Sequence, residues 1–401
     1  MKPKKKAISL LLAICLVAGL MPTVAFATGS DKAIQLGAGG ISGYSDTNSY
    51  DYIYYGTWND SPIKWRVLDT KTNMANVTEG GGLFLLSDVL LGTGTSGDVY
   101  FDRTGRSNAW QGSDAQAWCK DFAGEEGAGS TVADAFTANE LGAILATTKS
   151  DSAYTISGEE YGVSSLSGDK VFLLSAEEAD NDAYGFRSND DRTAYYDNSP
   201  KYWWLRSPHA GQAYSAGVVL NYGRVDYTKV DGDYAARPAF NLDLDSVLFT
   251  SAATSANGGK VDDTVDNSLT AVENYTGNEW KLTLLDSSRE SFSISNATTN
   301  SSDNTIEFSY SNAQTGKNEY ISVVIEDKGE ITHYGRILQL DGTTGGASGT
   351  ASLTLPDGVT LGGATKLYVF NEQYNGDKMT DYASQPCEVQ FDTTPPGADC
   401  G

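Results

Sequence analysis

Tyr202-Trp203-Trp204-Leu205-Arg206-Ser207-Pro208 and, further along, Ala236-Arg237-Pro238-Ala239-Phe240-Asn241-Leu242 are the stretches on which the fold turns. Adjacent tryptophans, a leucine, an arginine and a closing proline read as a short strand. Strand alternation sends Trp203 and Leu205 to one face and Trp204 and Arg206 to the other, so both faces must be covered and the strand is expected to be central. Residues 213–234, between the two stretches, are rich in Tyr, Asn, Asp, Ser and Gly, which suits turns and adaptable contact surfaces better than a core. The flanking strands are expected to hold this segment and the segment to display.

Outward from this pair, residues 52–56 and 63–68 read as strands flanking a turn that carries Asn59, Asp60 and Pro62. Leu83-Phe84-Leu85-Leu86 is a buried run. Ser113 caps a helix whose Ala115, Trp118, Cys119 and Phe122 share one face. Thr137 with Glu140 forms a capping box, with Phe136 and Leu141 at the staple positions. Ser175 and Glu178 repeat the capping pattern directly after the buried strand Val171-Phe172-Leu173-Leu174. Strands, then two helices, then strands argue for an α+β fold on a mostly antiparallel sheet.

Trp65-Arg66-Val67-Leu68, Val171-Phe172-Leu173-Leu174-Ser175 and the two opening stretches occur in the order of a family of secreted bacterial domains marked by WWLRSP and (V/A)RPAFNL blocks, which residues 52–244 resemble. More remotely, that family is similar to the formylglycine-generating-enzyme and C-type-lectin-like folds, with Ala236-Arg237-Pro238 in the place of the strand that closes the domain. The resemblance implies a C-type-lectin-like α+β domain and brings no activity with it.

Past residue 250 the helix signals cease. Residues 251–270 are rich in Ser, Ala, Gly and Asp and read as a linker that leaves the two flanking units independent. Short apolar runs separated by turns then fill residues 271–392, the pattern of an all-β immunoglobulin-like sandwich. The expected organisation is a signal peptide at 1–27, a C-type-lectin-like domain at 28–250, the linker, the sandwich, and a tail or the start of a further linker at 393–401.

The signal peptide follows from Lys2, Lys4, Lys5 and Lys6, the apolar run over residues 8–20 and the Ala25-Phe26-Ala27 cleavage pattern. No membrane span is expected once it is removed. The 401 residues carry a formal net charge of −24, and losing the leader makes the chain more acidic still. Nucleic acid is therefore a poor partner. Of the four cysteines, Cys15 lies in the leader, Cys119 reads as a buried thiol, and Cys387 with Cys400 could close a small loop.

Chemistry is thinly supplied. His209 and His333 are the two histidines; His209 reads as an exposed loop residue, and no nucleophile elbow, phosphate loop or zinc signature is present. No catalytic residue is assigned, and no cofactor is expected apart from calcium. Asp180, Asp182 and Asp191 fall at positions 1, 3 and 12 of a calcium-loop pattern, with Tyr184 where a ligand belongs.

The stronger signal is aromatic. Tyr214, Asn221, Tyr222, Arg224, Asp226, Tyr227 and Tyr234 combine rigid faces with polar tips, as sugar platforms and protein paratopes do. The expectation is an exported, non-enzymatic binding or adhesion protein, secreted or held at the cell surface, whose lectin-like head recognises a glycan or protein ligand. Two other classes stand beside it: an enzyme acting on surface glycans through a carboxylate pair, and a purely structural envelope component.

Overall fold

The computed structural model describes residues 32–45, 49–74, 81–92, 99–125, 134–253, 265–300, 302–375 and 380–391. The expected signal peptide, Cys15, most of the expected linker, and the tail with Cys400 lie outside the described residues. No helix among the described residues is long and apolar enough to cross a membrane.

The chain is mostly β and is organised by one mixed 14-stranded sheet. Its spine runs Val171–Leu173, Pro238–Asp243, Gly82–Ser87, Ser61–Asp69, Tyr52–Trp58, Glu279–Leu285, Asp381–Ala383, Thr365–Gln373, Glu319–Asp327, Glu330–Gln339 and Thr270–Ala271. The hairpin Tyr52–Trp58/Ser61–Asp69 turns on Asn59 and Asp60, both in the left-handed region at φ 48° and 60°. Asn and Asp tolerate that conformation, and the turn twist it imposes matches the strands.

The sheet is mostly antiparallel, as expected, but two parallel pairings join the regions that were expected to be independent. Tyr52, Ile53 and Tyr54 pair in parallel with Glu279, Trp280 and Lys281, and Thr283, Leu284 and Leu285 pair in parallel with Asp381, Tyr382 and Ala383. One run of backbone hydrogen bonds thus continues from the first region into the second. Side chains reinforce the join: Glu279 takes hydrogen bonds from Lys64 Nζ at 2.6 Å and from Tyr54 Oη at 2.9 Å.

In the first region the apolar face of the sheet is closed by the helix Asp114–Ala123, which buries Ala115, Trp118, Cys119 and Phe122. Ser113 caps it by accepting from Gln116 N at 3.0 Å. The short helix Ala138–Ala143 starts on the Thr137/Glu140 capping box. Trp65, Phe136 and Phe240 meet at the centre, with the Trp65 and Phe240 rings edge to face at 4.6 Å. In the second region Ser293–Asn300, Thr305–Ser311 and Gly349–Thr354 form a separate three-stranded sheet. Its Ile306, Phe308 and Leu353 pack against Ile321, Val323 and Val369 of the large sheet, two layers around one core.

Trp203–Pro208 is not a strand of the large sheet. It is an outer strand of a three-stranded sheet with Ser215–Val219 and Val225–Lys229. Its free edge is still occupied, because Trp204 N donates to Ala235 O and Arg206 N to Leu174 O. Trp203, Trp204, Leu205 and Arg206 are all fully buried, as alternation with both faces covered requires.

Candidate functional site

The frame comes first, because it decides which residues are free to display. Arg206 is wholly enclosed. Its Nη1 donates to Glu178 Oε2 at 2.6 Å and to Leu173 O at 2.7 Å, and its Nη2 to both oxygens of Asp151 at 2.8 and 3.0 Å. Lys149 pairs with the same two carboxylates. Burial alone would raise the Glu178 carboxyl, but the charges of Arg206 and Lys149 outweigh it and hold it well below the usual carboxylate range. Glu178 also closes its capping box, accepting from Ser175 N at 2.9 Å.

The second opening stretch enters the same network through Asn241. Its Nδ2 donates to Asn73 Oδ1 at 2.7 Å and Thr147 Oγ1 at 2.9 Å, and Asn73 Nδ2 reaches Glu178 Oε1 at 2.7 Å. Arg206 of one stretch and Asn241 of the other are therefore tied through Glu178 and Asn73. That is a satisfied polar core, which specifies a unique packing and leaves no group free for chemistry.

Arg237 differs. Its Nε donates to Ser87 O at 3.0 Å and its guanidinium lies 5.2 Å from the Trp203 ring centroid, but Nη1 and Nη2 have no hydrogen-bond partner among the described residues. Burial, aided by the nearby Arg66 charge, lowers it to about 9. Both arginines are fully buried. Carboxylates meet only Arg206.

On this frame stands the hairpin Ser215–Val219/Val225–Lys229. Its turn is closed by Gly223 N donating to Leu220 O at 2.8 Å, and it is pinned from outside by Arg192 Nε donating to Gly223 O at 2.9 Å. Gly223 has φ +83°, and a Cβ there would strike Asn189 O at 1.6 Å, so only glycine fits. Tyr222, at the turn, is 53% exposed; Tyr214, at the other end of the hairpin, is 60% exposed. Asn221 is exposed beside Tyr222. Arg224 Nε lies 3.7 Å from Asp226 Oδ2, and Asp226 Oδ1 accepts from Tyr227 N at 2.8 Å, so these two polar groups are largely occupied with each other and the strand.

Two expected site residues prove to be partly packing. Tyr234 stacks on Tyr202 at 5.5 Å and stands edge-on to Trp204 at 5.1 Å. Tyr227 lies over His209, ring centroids 3.9 Å apart, and its hydroxyl accepts from Gln212 Nε2 at 3.1 Å. His209 is accordingly not the exposed loop residue expected. Its side chain is 9% exposed, its Nε2 is 3.3 Å from Glu159 Oε2, and its Nδ1 accepts from Gly211 N at 3.1 Å. Tyr161 completes this corner over Gly217, where a side chain would meet its ring at 3.2 Å; its buried hydroxyl has no partner among the described residues. Gly217 inside the strand Ser215–Val219 was the sequence signal for that close approach.

The three aspartates of the calcium pattern do not converge. Asp180 pairs with Arg192 at 3.1 Å and accepts from Tyr154 Oη at 2.9 Å; Asp191 caps the turn after it, taking Arg187 N and Ser188 N. Asp182 opens a separate short helical turn. No group of three or more acidic, His or Cys residues placed to hold a metal occurs among the described residues. Both outer carboxylates serve local structure, which a spacing pattern cannot foresee.

Tyr195, an aromatic near the first opening stretch that lies outside the expected site set, is 50% exposed on the strand Tyr195–Tyr196. It follows closely on Asn189 and Thr193, the two residues against which Gly223 packs. Tyr195, Tyr214 and Tyr222 are the exposed large aromatics among the described residues, and Tyr214 and Tyr222 stand at the two ends of this hairpin.

Neither a curated protein nor a solved structure matches the chain. Residues 80–244, which hold both opening stretches and the hairpin between them, match the family model of a domain of unknown function, DUF6273.

Proposed function

We propose that the chain is an exported, non-enzymatic binding protein, secreted or held at the cell surface, whose C-type-lectin-like α+β head recognises a glycan or protein ligand and whose immunoglobulin-like sandwich carries that head. The observation that carries the reading is the exposure of Tyr214 and Tyr222 at the two ends of one hairpin whose supporting strands are buried. A tyrosine face held rigidly in water costs little further entropy to cover, and its hydroxyl offers a hydrogen bond at the rim of the contact. Neutral or basic ligands suit the acidic chain best. The two-layer core of the second region supports the sandwich reading, and the helix-covered first region supports the α+β head.

A glycan and protein array probed with the mature chain should return a ligand. The Tyr214→Ala/Tyr222→Ala double variant should lose that ligand while keeping the wild-type melting temperature, since both side chains are more than half exposed. Undiminished binding by the double variant would refute this surface.

A further inference from the structure

Along the strand Glu279–Leu285, Trp280, Leu282 and Leu284 enter the first-region core, which turns Lys281 and Thr283 to the opposite face. There the Lys281 side chain is 2% exposed and that of Asp381 0%, with Nζ 2.8 Å from Asp381 Oδ1. Lys281 Nζ also hydrogen-bonds the side-chain carbonyl oxygen of Asn375. Asn375 in turn donates its backbone N–H to the same Asp381 Oδ1 at 2.8 Å. The Lys281 amine thus contacts both a carboxamide and a carboxylate inside the protein, the Asn375 backbone ties the two acceptors together, and the Tyr374 ring covers the amine at 4.5 Å.

An ion pair accounts for Lys281 and Asp381. It does not account for Asn375, held in the left-handed region at φ 48° with its carboxamide on the amine and its N–H on the carboxylate. A hydrogen bond from Nζ to Oδ1 leaves the carbonyl carbon only a bond length further off, near an attack position. Burial disfavours the separated charges and so favours passing a proton from Nζ to Asp381, which frees the nitrogen lone pair.

We propose that Lys281 and Asn375 join in an intramolecular isopeptide bond, with Asp381 carrying the proton. Asp381 takes one proton from Nζ. The Nζ lone pair then forms the Nζ–Cγ bond as the carbonyl π pair moves onto Oδ1. When that pair returns, the Cγ–Nδ2 bond breaks and a second Nζ proton leaves on Nδ2 as ammonia. Ammonia takes the first proton back from Asp381, so ammonium is released and the carboxylate restored. Nothing is oxidised or reduced. The bond would link residues 94 apart in sequence and fix the strand through which the large sheet passes between the two regions.

The test is mass spectrometry of the purified mature chain. Its intact denatured mass should be one ammonia below that of the sequence, and proteolysis should release one branched peptide joining the Lys281 and Asn375 fragments. Lys281→Arg and Asn375→Ala should each restore the full mass, and Asp381→Ala should leave Lys281 and Asn375 unlinked. A wild-type chain of full mass giving two linear peptides overturns the proposal whatever the variants do. So does ammonia loss without a branch, which marks closure of Asn375 onto its own following backbone nitrogen. Full linkage in Asp381→Ala would overturn the proton-carrier role.

Discussion

Replacing Arg206 by Ala would remove the guanidinium that bridges Asp151 and Glu178 and would take the donor from Leu173 O. Two carboxylates, 2% and 3% exposed, would then share Lys149 as their remaining cation. Breaking a buried pair in this way costs about 3–5 kcal/mol, because the desolvated partner charge is left behind. At about 2–4 °C per kcal/mol for a folding unit of this size, the melting temperature should fall by about 10 °C.

The assay is urea unfolding followed by circular dichroism at neutral pH and in acid. The folded Glu178 carboxyl lies below its unfolded value, so its stabilisation is present above the unfolded value of about 4.3 and is lost as pH falls toward the folded one. Wild type should therefore lose stability in acid faster than Arg206→Ala, and the gap between them should narrow. A neutral-pH difference under about 1 kcal/mol, or a gap that widens in acid, would refute the assignment of Arg206 as the keystone of this network.

Arg237→Met should behave oppositely to Arg206→Ala: it keeps an apolar body against Trp203 and removes a charge with two unpartnered nitrogens, so stability should change by less than about 1 kcal/mol or rise. A loss of several kcal/mol in the same urea series would show that the guanidinium is better satisfied than its geometry indicates. Glu140 is fully buried between Thr137 N at 2.8 Å, Gly56 N at 3.2 Å and the Thr380 hydroxyl, and burial outweighs these donors and pushes its carboxyl up to about 7. Its contribution is fully present below the unfolded value near 4.3 and is lost as pH rises through about 7, amounting to about 4 kcal/mol. Stability measured from pH 5 to 8 should therefore fall in wild type and stay nearly level in Glu140→Gln; equal slopes would exclude Glu140 as the source.

Local features were legible in the sequence because their causes are local. The capping boxes at Thr137/Glu140 and Ser175/Glu178, the cap at Ser113, the turn at Asn59-Asp60 and the short strands of the second region all depend on side chains within a few residues of the backbone they satisfy. Burial of Trp203 to Arg206 also followed from alternation in a chain segment apolar on both faces. Of the display residues, Tyr214 and Tyr222 could be read because composition alone marks a rigid aromatic in a turn-rich segment.

Only the tertiary structure decided which strands share an edge, because periodicity reports the face a strand buries and is silent about its hydrogen-bonding partner. Hence Tyr52–Trp58 beside Glu279–Leu285 in parallel, and Trp203–Pro208 outside the large sheet, had no trace in the chain. The same non-local packing put His209 under Tyr227, left Arg237 without the acceptors that Arg206 has, and brought Lys281, Asn375 and Asp381 together. Each of these is a contact between side chains whose spacing in sequence carries no period, so folding alone creates the geometry on which their chemistry depends.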